Sequence, residues 1–193
     1  TSLIPRKDEI LKKLWEAYHV DSISGQWDYI EPVLFGYAAG AVIASYVENF
    51  CTATDKIAAH FHEWMTAAGG LYLRRHAPYV ATLFTTHATV MGRCIAGNHL
   101  PLYTDLTKFN ADELARQFNV VAKHSIEKAA AAYHDAFVTV SDITANECKF
   151  LLGREPDCIT PNGFENDFVW TGEEYDAKRA EARKTMISVA EAC

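Results

Sequence analysis

The side chains that could do chemistry in this sequence gather where short apolar runs give way to polar residues. His60, His62 and Glu63 close one such run in HFHEW, and Thr85, Thr86 and His87 close another, with Gly92 and Arg93 about two helical turns further on. Ser141 and Asp142 follow a third run, and Asn162 and Gly163 a fourth. Alternate residues of a strand face one side, so His60 and His62 could share a Zn, Ni or Cu ion, with Glu63 and His87 completing the set of a metal-dependent hydrolase. The competing reading has the two histidines hydrogen-bonded at a strand end and Glu63 capping the next helix. The absence of HExxH or CxxC spacing favours this second reading. His87 could be a satisfied core histidine, but Thr85, Thr86 and Arg93 around it weigh toward a functional role. Arg93 could pair with a carboxylate at the surface, Pro161-Asn162-Gly163 has the composition of a turn, and Ser141 suits a helix N-cap.

The elements that must position these groups follow from periodicity. Residues 80–84, VATLF, form a run whose length and β-branched content suit a strand buried on both faces of a parallel sheet. Further strands are expected over 56–61, 136–140 and 158–160. Helices are expected over 6–18, 65–76, 111–133 and 143–152, the third with a core-facing stripe of Leu114, Phe118, Val121, Ile126 and Ala129. Residues 21–26 and 97–103 read as loops. Residues 30–50 read as a helix starting at Pro32 and buried on most sides; a membrane reading is weaker, since Glu31, Glu48 and Asn49 bound the run and glycines and tyrosines interrupt it. Strands alternating with helices imply an α/β fold with a parallel sheet. In such sheets ligands collect at the carboxyl ends of the strands, so the four polar strand ends would line one pocket.

Composition narrows the function classes. The chain has 193 residues, of which 49% are hydrophobic and 12% aromatic, enough for one sizeable core. A net charge of -7 with no basic stripe argues against a nucleic-acid or anionic-membrane partner. No apolar run is expected to reach the ~18 residues of a membrane span. Five widely spaced cysteines without a CxxC pair fit a reducing, cytoplasmic compartment. Thr1 and the charged, alanine-rich helical pattern over 173–193 read as cut ends of a longer protein.

HFHEW at 60–64, LFTTHATVMGR at 83–93, VTVSDITANE at 138–147 and ITPNG at 159–163 together resemble glycogen synthase of the animal and fungal type. LFGY at 34–37 and EKAAA at 127–131 extend the match, which covers about residues 15–163 in order. The resemblance implies a retaining GT-B glycosyltransferase of two Rossmann-like domains, with this chain as most of the first domain and residues 173–193 leading toward the second. It implies glucose transfer from UDP-glucose to the non-reducing end of an α-1,4-glucan such as glycogen, without a metal or cofactor, by a cytoplasmic homo-oligomer. It implies that His87 lies against the transferred glucose, that Arg93 and Asn162 reach the glucosyl or acceptor side of the cleft, and that Glu63, beside His62, lies near the acceptor. The family's glycine-rich donor loop and its diphosphate-gripping residues would lie outside this chain, which alone should be inactive. After Pro-Asn-Gly the family continues Leu-Asn-Val, whereas residues 164–166 here are Phe-Glu-Asn. A non-catalytic carbohydrate or protein interaction domain is the third reading.

Overall fold

The computed structural model describes residues 3–163, 165 and 169–192, in two units, Thr1–Pro161 and Asn162–Cys193. Phe164 and Asn166, where the sequence departs from the family pattern, and Cys193 lie outside the described residues.

The first unit is Rossmann-like, a four-stranded parallel sheet flanked by helices. Its strands are β1 (Ala58–His62), β2 (Ala81–Thr86), β3 (Ala136–Thr139) and β4 (Cys158–Ile159), in that order across the sheet. The register pairs His62 with Thr85, Thr86 with Thr139, and Thr139 with Ile159, so all four carboxyl ends share one edge. The expected strands are therefore present, shifted by one or two residues. β2 is buried on both faces through Thr82, Phe84, Thr85 and Thr86, and Phe84 stacks on Phe137 of β3 with ring centroids 5.7 Å apart.

The helices of the first unit are α1 (Lys7–Tyr18), α2 (Trp27–Phe50), α3 (Glu63–His76), α4 (Val90–Gly97), α5 (Leu102–Asp105), α6 (Ala111–Gln117), α7 (Val121–Tyr133) and α8 (Asp142–Glu147). α8 runs on into a π-helical turn, Cys148–Leu152, closed by Gly153 at φ 77°. Ser141 caps α8 as expected, accepting from Thr144 N at 3.1 Å. In the second unit, α9 (Glu173–Ala192) matches the helical pattern read there.

Three expectations are corrected. The single helix over 111–133 is two, α6 and α7, broken where Asn119 takes a left-handed φ of 56°. Its stripe accordingly serves two cores: Ile126 and Ala129 join the main one, while Leu114, Phe118 and Val121 pack on a smaller cluster built around Met91, Ile95 and Leu106. The loop over 97–103 gives way at Leu102 to the short α5. The third correction concerns α2, which begins at Trp27, so that Pro32 lies inside it and removes the bond its N–H would have made to the Asp28 carbonyl. Only one face of α2 is buried. Gly36 and Gly40 let it press on α3, where a Cβ at Gly40 would sit 2.5 Å from the Gly69 carbonyl. Phe35, Val42, Tyr46 and Phe50 are exposed. α2 is 24 residues long and its most apolar 18-residue window has a mean hydropathy of 1.5, so by length and composition alone it could cross a membrane, contrary to the expectation that no run would reach that length.

Candidate functional site

At the carboxyl edge of the sheet the loop joining β2 to α4, taken with its flanking residues Thr86 and Val90 as 86–90, is the focus, and side chains from three helices converge on it. Thr89 is the N-cap of α4, accepting from Gly92 N at 2.9 Å. This cap turns the chain from the end of β2 into α4 and leaves His87 half-buried at the rim.

His87 is held by two neighbours. Its backbone N–H donates to Glu63 Oε1 at 2.9 Å, and its Nε2 lies 3.1 Å from His62 Nδ1, the rings stacked with centroids 5.4 Å apart. In that contact one ring nitrogen must donate and the other accept, so the pair holds one proton between them. His60 lies beside His62, with ring centroids 4.0 Å apart and the planes tilted by 35°, and bonds Thr85 Oγ1 at 2.7 Å. Partial burial lowers the pKa of His60, and the neighbouring His62 and His87 lower it further. A row of three imidazoles thus runs from β1 onto the loop after β2.

Glu63 is not the helix cap considered from the sequence. It is the first residue of α3, in a left-handed backbone at φ 62°, and its carboxylate turns across to the His87 amide. For a residue with a Cβ such a conformation costs on the order of 1–3 kcal/mol and persists where surrounding contacts over-determine it. Arg93, 65% exposed at its side chain, places a guanidinium nitrogen 4.0 Å from Glu63 Oε1. His62, Glu63, His87 and Arg93 therefore meet. Asn162 follows β4 but belongs to the second unit, where it is exposed.

Two acidic groups that sequence reasoning did not single out complete the site. Glu127 of α7, fully buried, accepts from Thr86 Oγ1 at 3.0 Å and from Val90 N at 2.8 Å. Glu147 of α8, also buried, accepts from Thr89 Oγ1 at 2.8 Å. Among the described residues neither makes an ion pair. Burial pushes the Glu127 carboxyl up to about 8; the Val90 and Thr86 hydrogen bonds oppose this, and Glu63 and Glu147 add to it. At neutral pH it keeps its proton. One oxygen must then donate, and Thr86 Oγ1 can accept that proton while turning its own toward the Ala88 carbonyl, 3.3 Å away. The signal was in the sequence: Glu127 interrupts the apolar stripe of an alanine-rich helix, where a charged residue has no solvent.

The hydrolase reading needs His60, His62, Glu63 and His87 free to ligate. His62 and His87 bond each other, His60 bonds Thr85, and Glu63 bonds the His87 amide. Among the described residues, no group of three or more His, Cys, Asp or Glu side chains is arranged to hold a metal.

A protein-family model described as glycogen synthase matches residues 3–186. A glycogen [starch] synthase of Dictyostelium discoideum is 36% identical over 153 residues, covering 79% of this chain and 17% of that protein. One from Neurospora crassa is 35% identical over 151 residues, 78% of this chain and 21% of that protein. The human liver glycogen [starch] synthase is 34% identical over 152 residues, with the same two shares. This chain spans about a fifth of the length of the curated relatives it matches.

Proposed function

Because the chain belongs to the glycogen synthase family, we propose that it forms most of the N-terminal Rossmann-like domain of a GT-B enzyme that transfers glucose from UDP-glucose to the non-reducing end of an α-1,4-glucan, with retention. In this reading the bond between the anomeric carbon and the UDP phosphate breaks and the acceptor 4-hydroxyl bonds to the same face. The departing phosphate takes the acceptor proton, so no side chain here has to act as general base. The oxocarbenium-like centre needs fixed dipoles around it, and groups mounted on strand ends supply them without reorganising. His87 is the group assigned to the transferred glucose, orienting it by hydrogen bonding. Arg93 and Asn162 are assigned to the glucosyl or acceptor side, and His62 and Glu63 to the acceptor side. The reaction so proposed uses no metal or cofactor, and the enzyme would be a cytoplasmic homo-oligomer with a nucleotide sugar and a glucan as its partners.

The observation that carries this reading is the convergence of His62, Glu63, His87 and Arg93 on one rim of the parallel sheet's carboxyl edge. The test is incorporation of labelled glucose from UDP-glucose into glycogen by the full-length protein carrying this sequence, by its His87→Ala variant, and by this chain alone. The expected result is an active full-length protein, a folded His87→Ala variant at least about 100-fold slower in kcat, and a silent isolated chain. Near-parental activity in His87→Ala would remove His87 from the site, and no transfer from UDP- or ADP-glucose by the full-length protein would overturn the reaction.

A further inference from the structure

We propose that Glu127 and Glu147 are positioning residues, two buried carboxyl groups that lock the loop 86–90 so that His87 and the first turn of α4 are presented at the sheet edge. Neither side chain touches the rim itself. The inference rests on the glucosyl-transfer reading for its kinetic arm only.

The loop has few ways to satisfy its polar groups. Within five residues it offers Thr86 Oγ1, His87 N, Thr89 Oγ1 and Val90 N, and each hydrogen-bonds a glutamate carried by α3, α7 or α8: Glu127 takes the first and last, Glu63 the second, Glu147 the third. Burying an acidic side chain without a cation is costly, and apolar residues of similar volume would fill the same space more stably. What these glutamates supply that apolar residues cannot is a single geometry. A loop displaced by one residue or rotated by a peptide would leave two buried carboxyl groups without donors. The backing is also dense. A Cβ on Gly92 would fall 2.1 Å from Glu147 Oε2, so the glycine beside Arg93 is the space into which that carboxylate fits.

The geometry separates the two oxygens of Glu127. Val90 N–H can only donate, so one oxygen must accept there in any protonation state. Thr86 Oγ1 can donate or accept, because the Ala88 carbonyl offers it an alternative partner. A glutamine at 127 fits this pattern, with its carbonyl toward Val90 and its amide toward Thr86; an alanine cannot.

The experiment uses the full-length protein with Glu127→Gln, Glu127→Ala, Glu147→Gln and the near-isosteric Thr86→Val, reading kcat and KM for UDP-glucose together with hydrogen–deuterium exchange over residues 84–93. Expected are a kcat within about three-fold of the parent for Glu127→Gln, a loss of about 100-fold for Glu127→Ala at nearly unchanged KM, and an intermediate loss for Glu147→Gln and Thr86→Val. In Glu127→Ala and Thr86→Val the amides of the loop should exchange at least about ten-fold faster while those of β1 and β3 keep their protection. Thr86→Val keeps the side-chain shape, so it reports even if Glu127→Ala fails to fold. The proposal is overturned if Thr86→Val leaves both kcat and loop exchange at parental values, if Glu127→Gln is as damaged as Glu127→Ala, or if exchange rises uniformly through the sheet. A parent protein that transfers no glucose would sink the proposed reaction instead, and the exchange data would then decide the positioning role by themselves.

Discussion

Replacing Gly92 with alanine should unlatch Glu147 from behind the loop. The added Cβ would stand 2.1 Å from Glu147 Oε2 and 2.7 Å from Thr89 Oγ1, where ordinary contact needs more than 3 Å. The Glu147 carboxylate must swing away by roughly an ångström, which breaks its 2.8 Å bond to Thr89 and leaves it buried without a donor, at about 2 kcal/mol for a charged hydrogen bond. Thr89 must also move, weakening its cap on Gly92 N by about 1 kcal/mol. Alanine's better helix propensity returns part of this, less than about 1 kcal/mol at a buried first turn. A net destabilisation of about 2–3 kcal/mol is expected in urea unfolding of this chain followed by circular dichroism. The double variant Gly92→Ala/Glu147→Ala, in which the obstructing oxygen is gone, should be more stable than the two single losses added together. A Gly92→Ala loss below about 0.5 kcal/mol, or strict additivity in the cycle, would refute the close packing of Gly92 against Glu147.

Two further expectations come from buried ionisable and glycine positions. The Glu127 carboxyl is raised from 4.5 to about 8 by burial, so the native chain keeps a proton that the unfolded chain has lost between those values. Its contribution to stability is present below about pH 4.5 and fades as pH rises through 8, a slope summing to about 5 kcal/mol at most. Unfolding free energies of parent and Glu127→Gln, measured from pH 5 to 9, should diverge in favour of the glutamine up to about pH 8 and level off above it; curves parallel from pH 5 to 8 would show that the Glu127 proton is not held. At Gly70 a Cβ would meet His134 Nε2 at 1.8 Å, and that ring is fixed on both sides, by Phe61 and Phe84 and by its own bond to the Ala130 carbonyl. Gly70→Ala should therefore cost about 2–4 kcal/mol in the same unfolding assay, and a loss under about 0.5 kcal/mol would show that His134 can move aside.

The sheet was legible because its strands obey a rule that needs no partner information. Each is a short apolar run ending in polar residues, and a run such as 80–84, with its β-branched content, suits little besides a buried strand of a parallel sheet. The break at Asn119 was not legible, since the apolar spacing continues across it into α7 while a left-handed residue interrupts the backbone only. The start of α2 was misplaced for a related reason: proline is commonest in a first turn, but here a long helix packed through Gly36 and Gly40 tolerates one missing bond. At the site, spacing singled out His62, Glu63, His87 and Arg93, which do meet. The glutamates behind the loop lie 37 residues from Val90 and 58 from Thr89 in sequence, and only the fold brings Glu127 and Glu147 against it.

The left-handed backbone at Glu63 sets two demands that no single residue meets. The φ of 62° suits glycine or asparagine, while the reach to the His87 amide requires a side chain as long as glutamate's. Glycine would relax the chain and lose the hook; aspartate would keep the charge and fall short; glutamine would keep the reach and lose the charge facing Arg93. Every one-step substitution thus gives up something the others keep, so the junction between β1 and α3 sits at a local optimum. Improving either the backbone or the contact there requires a simultaneous change in the loop that Glu63 holds.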